Sequence, residues 1–207
     1  MIKICGRYFL KMDAKLMAQL FNAILAEEPF SYNQEIYPSE KAPVIIYNPE
    51  EADRKIGLMH WGFKTNYSSK LLINARSETI DQKPTFKESF YKRRLLVPFT
   101  DYFEWKGPKG NKTKYRFSVK DHDKHAFAGI YNKFKLDNQE HWRFSLITTE
   151  PNQKAAEIHN RMPAILTGKN LKTWLDPEAD IANLKEILQP YPGQLKYQAE
   201  GPQQLSF

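Results

Sequence analysis

The side chains best suited to chemistry gather in four short segments: Cys5-Gly6-Arg7, Asn74-Ala75-Arg76-Ser77-Glu78-Thr79, Tyr102-Phe103-Glu104-Trp105-Lys106 and His159-Asn160-Arg161-Met162-Pro163. Cys5 is the sole cysteine, so no intrachain disulfide and no multi-cysteine zinc site can form. Its thiol is either a small buried hydrophobe or a nucleophile. A nucleophile needs proton carriers, and Glu104 and His159 are of the right types. Asn74 can donate and accept hydrogen bonds at once. Arg7, Arg76 and Arg161 carry paired guanidinium donors that match phosphate oxygens. Trp61 and Trp105 offer flat faces on which bases could stack, although an isolated tryptophan is more often a core or rim residue.

The composition bears on the partner. The chain has 207 residues with 31 Lys and Arg against 24 Asp and Glu, a formal charge of +7. That balance favours an anionic partner, with nucleic acid the leading class, and an aromatic share of 14% supplies the stacking half of a single-strand binder. No apolar run approaches the roughly 20 residues of a membrane span, and no secretory signal pattern opens the chain, so a cytoplasmic protein is expected. His60, His122, His125 and His141 are not spaced as metal ligands, and neither a metal nor another cofactor is expected. The run Lys92-Arg93-Arg94 reads equally as a phosphate track or as a solvated helix end.

Positioning falls to a mixed scaffold. After Asp13, a suitable N-cap, apolar residues at Leu16, Met17, Leu20, Phe21, Ile24 and Leu25 recur at helical spacing and predict a helix over 14–26. Short β-branched and aromatic runs predict strands over 43–47, 56–61, 95–98, 102–106, 114–120, 125–134 and 142–149, with a hairpin turn at 107–111. Helical patterns return over 85–91, 153–158, 171–174 and 180–188, while 190–207, rich in Pro, Gly and Gln, reads as an irregular tail. Without repeats or a linker, residues 1–207 read as one α+β domain: a curved, mostly antiparallel sheet or partial β-barrel with interspersed helices.

Taken in order and at these separations, the four segments resemble the SOS response-associated peptidase family. The stretches His60-Trp61-Gly62-Phe63, Leu95-Leu96-Val97-Pro98, Ala126-Phe127-Ala128-Gly129-Ile130-Tyr131 and Pro163-Ala164-Ile165-Leu166-Thr167 fit its pattern too. The resemblance spans about residues 5 to 190. It implies a monomer that captures abasic sites in single-stranded DNA through an amino-terminal cysteine. A free α-amine attacks the opened sugar aldehyde to give an imine, and the neighbouring thiol then closes a thiazolidine ring. It also implies acid/base work for Glu104, a catalytic role for His159, a clamp at Asn74, and DNA contacts at Arg7, Arg76 and Arg161, with stacking at Trp61 and Trp105.

In the family the cysteine directly follows the initiator methionine, whereas here Met1-Ile2-Lys3-Ile4 precedes Cys5 and makes its nitrogen an amide. Three expectations stay open: cleavage before Cys5 by its own thiol, a start at the Ile4 codon, or reversible DNA binding without capture. Two further differences are Glu35-Ile36-Tyr37-Pro38 in place of an asparagine-x-alanine-proline turn, and a tail without the usual Val-Ser…Val-Asn motif.

Overall fold

The computed structural model describes residues 5–26, 28–65, 68–108, 110–136 and 138–201. Expectations for residues 1–4, for Lys109 in the hairpin turn and for 202–207 of the tail lie outside these. In chain order the first elements are β1 (Tyr8–Asp13), α1 (Ala14–Phe21), β2 (Ile24–Leu25), β3 (Ser31–Ile36), β4 (Lys41–Asn48) and β5 (Asp53–Trp61). The hairpin β6 (Phe63–Thr65) and β7 (Ser68–Leu72) leads to β8 (Asn74–Arg76), a 3-10 turn (Ser77–Thr79), α2 (Pro84–Lys92) and β9 (Arg94–Pro98). Then come β10 (Asp101–Lys106), β11 (Thr113–Val119), β12 (His125–Leu136), β13 (Gln139–Thr149) and α3 (Gln153–Ala156). The last are β14 (Met162–Pro163), β15 (Ile165–Thr167), α4 (Gly168–Leu175), α5 (Ile181–Glu186) and β16 (Leu195–Glu200).

The result is the expected α+β class, with helices around mostly antiparallel sheets. One sheet runs β16-β11-β10-β1-β3 with every neighbour antiparallel. The larger one runs β14-β13-β12-β9-β4-β5-β2, with β15 added to β12 and β8 added to β13. Parallel pairing enters where β5 and β8 meet β13 and where β2 meets β5.

Aromatic side chains join the sheets. Tyr8 of β1 meets Trp61 of β5 at 5.4 Å and Phe127 of β12 at 5.7 Å between ring centroids. Tyr102 of β10 stacks on Phe117 of β11 at 4.7 Å and reaches Phe127 edge-on. These spacings are the tilted and offset arrangements that ring quadrupoles favour, and each ring removes a large apolar area from water. One contiguous buried cluster runs from Tyr8 to Leu195.

Trp61 overturns one expectation. It has 0% exposure, stacks on Phe144 at an interplanar angle of 5°, and donates its indole N–H to the Ile73 carbonyl at 3.0 Å. A base cannot reach it, because the ring lies on the core side of β5, packed between Tyr8 of the other sheet and Phe144 of β13. Trp61→Ala is therefore expected to destabilise the fold by about 3 to 5 kcal/mol, read by denaturant unfolding, as a large core truncation does. A variant of unchanged stability with weakened DNA binding would return Trp61 to the interface.

Two boundaries also differ. The helix expected over 14–26 stops at Phe21, because Asn22 adopts a left-handed conformation (φ 48°) and its N–H closes back on the Ala18 carbonyl. Leu25 then joins a parallel strand while Ile24 is exposed, so the apolar periodicity outlasted the helix. The segment from 190 is not wholly irregular either. β16 pairs with β11 along its length, Leu195 opposite Val119 through Glu200 opposite Lys114. Its sequence Leu-Lys-Tyr-Gln-Ala-Glu alternates apolar and polar residues at every step, a strand signal hidden in a segment otherwise rich in Pro, Gly and Gln, and the β11 edge completes it.

Neither reading of Lys92-Arg93-Arg94 holds for Arg94. Its guanidinium is buried and donates to the carbonyls of Phe90, Tyr91, Trp174 and Asp176, sewing the ends of α2 and α4 together. Those are carbonyls that a helix terminus leaves without intrahelical partners.

Candidate active site

The strand β10 sets the geometry. Successive side chains alternate across the sheet, so Tyr102 and Glu104 share one face while Asp101, Phe103 and Trp105 share the other. The Phe103 N–H donates to the Arg7 carbonyl at 3.0 Å, which continues the β1–β10 ladder towards the amino terminus and brings Cys5 beside Glu104. Both donors of Cys5 meet one oxygen there. Its backbone N–H donates to Glu104 Oε1 at 2.7 Å and its thiol donates to the same atom at 2.8 Å.

Both residues are buried, Cys5 at 3% and Glu104 at 2% exposure. Burial pushes the Glu104 carboxyl up to about 7, against the opposing pull of the two Cys5 hydrogen bonds and the charge of Lys112. Burial, then the charge and hydrogen bond of Glu104, holds the Cys5 thiol well above its ordinary range, so the resting sulfur is protonated. The arrangement is thus a neutral nucleophile in contact with a carboxyl that changes charge near neutrality. Cys5 also has φ 44°, a left-handed backbone conformation that costs a non-glycine residue about 1 kcal/mol or more.

His159 and Arg161 follow α3 on a loop tied to β10, where Lys106 Nζ donates to the Glu157 carbonyl at 2.6 Å. His159 Nδ1 lies 3.1 Å from the Arg161 backbone nitrogen and 3.3 Å from the Arg161 carbonyl oxygen; the tautomer that accepts the N–H leaves Nε2 to carry the proton of the neutral ring. Burial, with the nearby Lys112 and Arg161 charges, lowers its pKa below the ordinary histidine range. Arg161 makes a two-nitrogen pair with Glu78, at 2.6 and 3.0 Å, and donates to the Thr148 carbonyl at 2.7 Å. Its charge lowers both the Cys5 and His159 pKa values, and that of Lys112 lowers both Glu104 and His159, so these groups share one electrostatic neighbourhood.

Asn74 and Arg76 sit on β8 alongside β13, Asn74 opposite Leu146 and Arg76 opposite Thr148, against whose carbonyl Arg161 rests. Arg76 is exposed. Arg7 and Trp105 lie elsewhere, on the other face of β10: the Arg7 guanidinium sits 4.2 Å from the Tyr37 ring centroid and 5.1 Å from that of Trp105, and pairs with Glu35 at 3.1 Å. Arg7 is therefore held by a carboxylate and two rings on the far side of the sheet from the Glu104 carboxyl. Lys112 lies outside every motif of the sequence, and the segment 74–79 assigns Glu78 no role. Only the folded hairpin and the Arg161 pair reveal their place.

The sequence profile of the SOS response associated peptidase (SRAP) family matches residues 4–200. The chain belongs to this family. Among the family's relatives, the abasic site processing protein YoqW of Bacillus subtilis is 33% identical over 199 residues, covering 91% of this chain and 88% of that protein. The abasic site processing protein HMCES of Rattus norvegicus is 28% identical over 192 residues, covering 70% of this chain and 53% of that longer protein. A crystal structure of a protein from Bacteroides thetaiotaomicron superposes with a TM-score of 0.80 at 28% identity, covering 96% of this chain and 93% of that one. Among the described residues no helix is long and apolar enough to cross a membrane.

Proposed function

We propose that this protein processes abasic sites in single-stranded DNA, with Cys5 forming the covalent link once its nitrogen is free. The observation that carries this reading is the convergence of the Cys5 N–H and S–H on one oxygen of a buried carboxyl poised near neutrality. The names of its curated relatives, abasic site processing proteins, support the substrate class.

Two steps follow. First, the thiol attacks the Ile4 carbonyl carbon. The C–S bond forms, the Ile4–Cys5 C–N bond breaks, and the thiol proton passes through Glu104 Oε1 to the departing nitrogen, the two atoms that Oε1 already contacts. Water then hydrolyses the thioester, releasing residues 1–4 with a terminal carboxylate and restoring the thiol. The left-handed φ of Cys5 favours this scission, because the strain ends with the bond. In the second step the free amine condenses with the ring-opened sugar aldehyde, losing water to give an imine. The thiol adds to the imine carbon and its proton goes to the nitrogen, closing a five-membered ring. Holding both nucleophiles on one residue makes closure intramolecular and therefore fast. Glu104 removes and returns protons, and His159, with Nε2–H as a donor, steadies the oxygen that leaves.

The experiment is incubation of natively expressed protein with single-stranded DNA bearing one abasic site, followed by denaturing electrophoresis and mass measurement. An adduct lacking residues 1–4 is expected. Native binding without an adduct, and with an intact terminus, would replace covalent capture by reversible recognition.

Arg76, exposed on β8, is assigned to phosphate contact. Arg76→Ala is expected to weaken native binding several-fold and to reduce the slope of log affinity against log salt by about 0.7, the single-strand value for one lost phosphate contact. Titrations at several salt concentrations check this, and an unchanged slope removes Arg76 from the interface.

A further inference from the structure

Away from Cys5, the residues Tyr47, Pro49, Tyr91, Lys92, Tyr131 and Pro177 border a cleft of about 310 Å³, where β4, β9 and β12 meet the C-terminal ends of α2 and α4. Three of these side chains are tyrosines, and among the described residues none that borders the cleft is acidic. Arg94 also borders it, but with the guanidinium engaged by four backbone carbonyls. The aromatic surface continues outward. Tyr131 packs edge-on against Trp142 at 5.7 Å, Trp142 is 44% exposed, and Lys133 Nζ lies 4.9 Å from its ring centroid.

We propose that this cleft, together with Trp142, binds nucleotides of a single-stranded DNA segment flanking the lesion, with bases on the tyrosine and tryptophan rings and phosphates near Lys92 and Lys133. The proposal rests on the reading above that single-stranded DNA is the partner. A single-strand surface needs aromatic faces interleaved with cations, because every base has a π face and every linkage a negative charge. Both kinds of group are present here, and neither is used by the Cys5 site. Carboxylates nearby include Glu88, paired with Arg93 at 3.2 Å, Glu140, paired with Lys133 at 2.8 Å, Asp176, whose charge acts on Arg94, and the exposed Glu50 and Glu178, which adjoin the bordering Pro49 and Pro177. Glu88 and Glu140 are well exposed, and such pairs exchange readily for a phosphate. Reach is no obstacle: Trp142 and Thr148 share β13, roughly 20 Å apart at the strand rise, and Arg161 rests on Thr148. A strand leaving the Cys5 site therefore needs only a few nucleotides to arrive at Trp142.

The test uses the full chain with substitutions at Tyr91 (37% exposed) and Trp142, neither of which holds the core. Affinity for a long undamaged oligonucleotide is read by anisotropy of labelled DNA. Crosslinking to a short abasic oligonucleotide is read on denaturing gels. The Tyr91→Ala, Trp142→Ala double variant is expected to lose about tenfold in affinity for the long strand while crosslinking the short one at the wild-type rate. In the wild type, long DNA quenches the exposed tryptophan. Wild-type affinity in the double variant, with wild-type protein binding normally, overturns the cleft and leaves the proposed function standing. No binding of any single strand by the wild type overturns both. Quenching by a proline-rich peptide but not by DNA overturns the proposal in favour of a peptide groove.

Discussion

Cys5→Ala is expected to abolish the denaturation-resistant complex with abasic DNA and, in the same protein, to leave residues 1–4 attached. Both losses follow from one atom. The thiol is the nucleophile that frees the amine, and it is also the group that closes the ring. Binding under native conditions is expected to survive, since the phosphate contact assigned to Arg76 lies on β8 and not on the amino-terminal segment. Stability is expected to fall by only about 1 to 2 kcal/mol, because the change removes a buried sulfur and its hydrogen bond while Glu104 keeps the Cys5 backbone donor. Intact mass together with a denaturing gel decides the matter. A variant that still sheds residues 1–4 assigns the cleavage to another agent, and one that still forms the complex refutes the thiol mechanism.

Glu104→Gln is expected to lower the rates of terminal cleavage and of adduct formation by about 10² to 10⁴, the usual contribution of a positioned acid or base. The pH dependence gives a sharper signature. The wild-type cleavage rate is expected to rise as pH passes through about 7, where Glu104 becomes the carboxylate that takes the thiol proton, and the glutamine variant is expected to lose that inflection. Stability moves the other way. The Glu104 pKa is raised on folding, so the folded state binds the proton more tightly than the unfolded chain does. Its contribution is fully present below the unfolded value of about 4.5 and is lost as pH rises through about 7. The loss amounts to about 3 kcal/mol, and glutamine, which stays neutral, is expected to make the protein more stable than wild type at alkaline pH. Chemical unfolding across that pH window measures it. A variant that is slower and more stable ties the buried carboxyl to function, whereas one that is slower and less stable makes Glu104 a structural group.

The sequence by itself determined the α+β class, most strands of the larger sheet and the four segments from which the candidate site is drawn. Those features are local: period-two alternation, β-branched and aromatic runs, and residue types whose chemistry does not depend on neighbours. Cys5 and Glu104 were legible as candidates for a nucleophile and a proton carrier, but their shared contact was not, because the two are brought together by β1–β10 pairing across nearly half the chain. The charge state of Glu104 is likewise a tertiary property, since burial sets it. Trp61 and Trp105 look alike as sequence and both stand on interior strands, yet the face decides: the first packs into the core between Tyr8 and Phe144, while β10 turns the second onto the face that holds Arg7. Three features show how context overrode local pattern. A left-handed Asn22 ended the first helix early, an available β11 edge made a strand within a tail whose composition read as irregular, and two helix ends drew Arg94 out of a run that read equally as a phosphate track or a solvated helix end. The first outcome is a local cap, closed four residues back on Ala18, whereas the other two are decided by partners distant in sequence, which only the folded chain supplies.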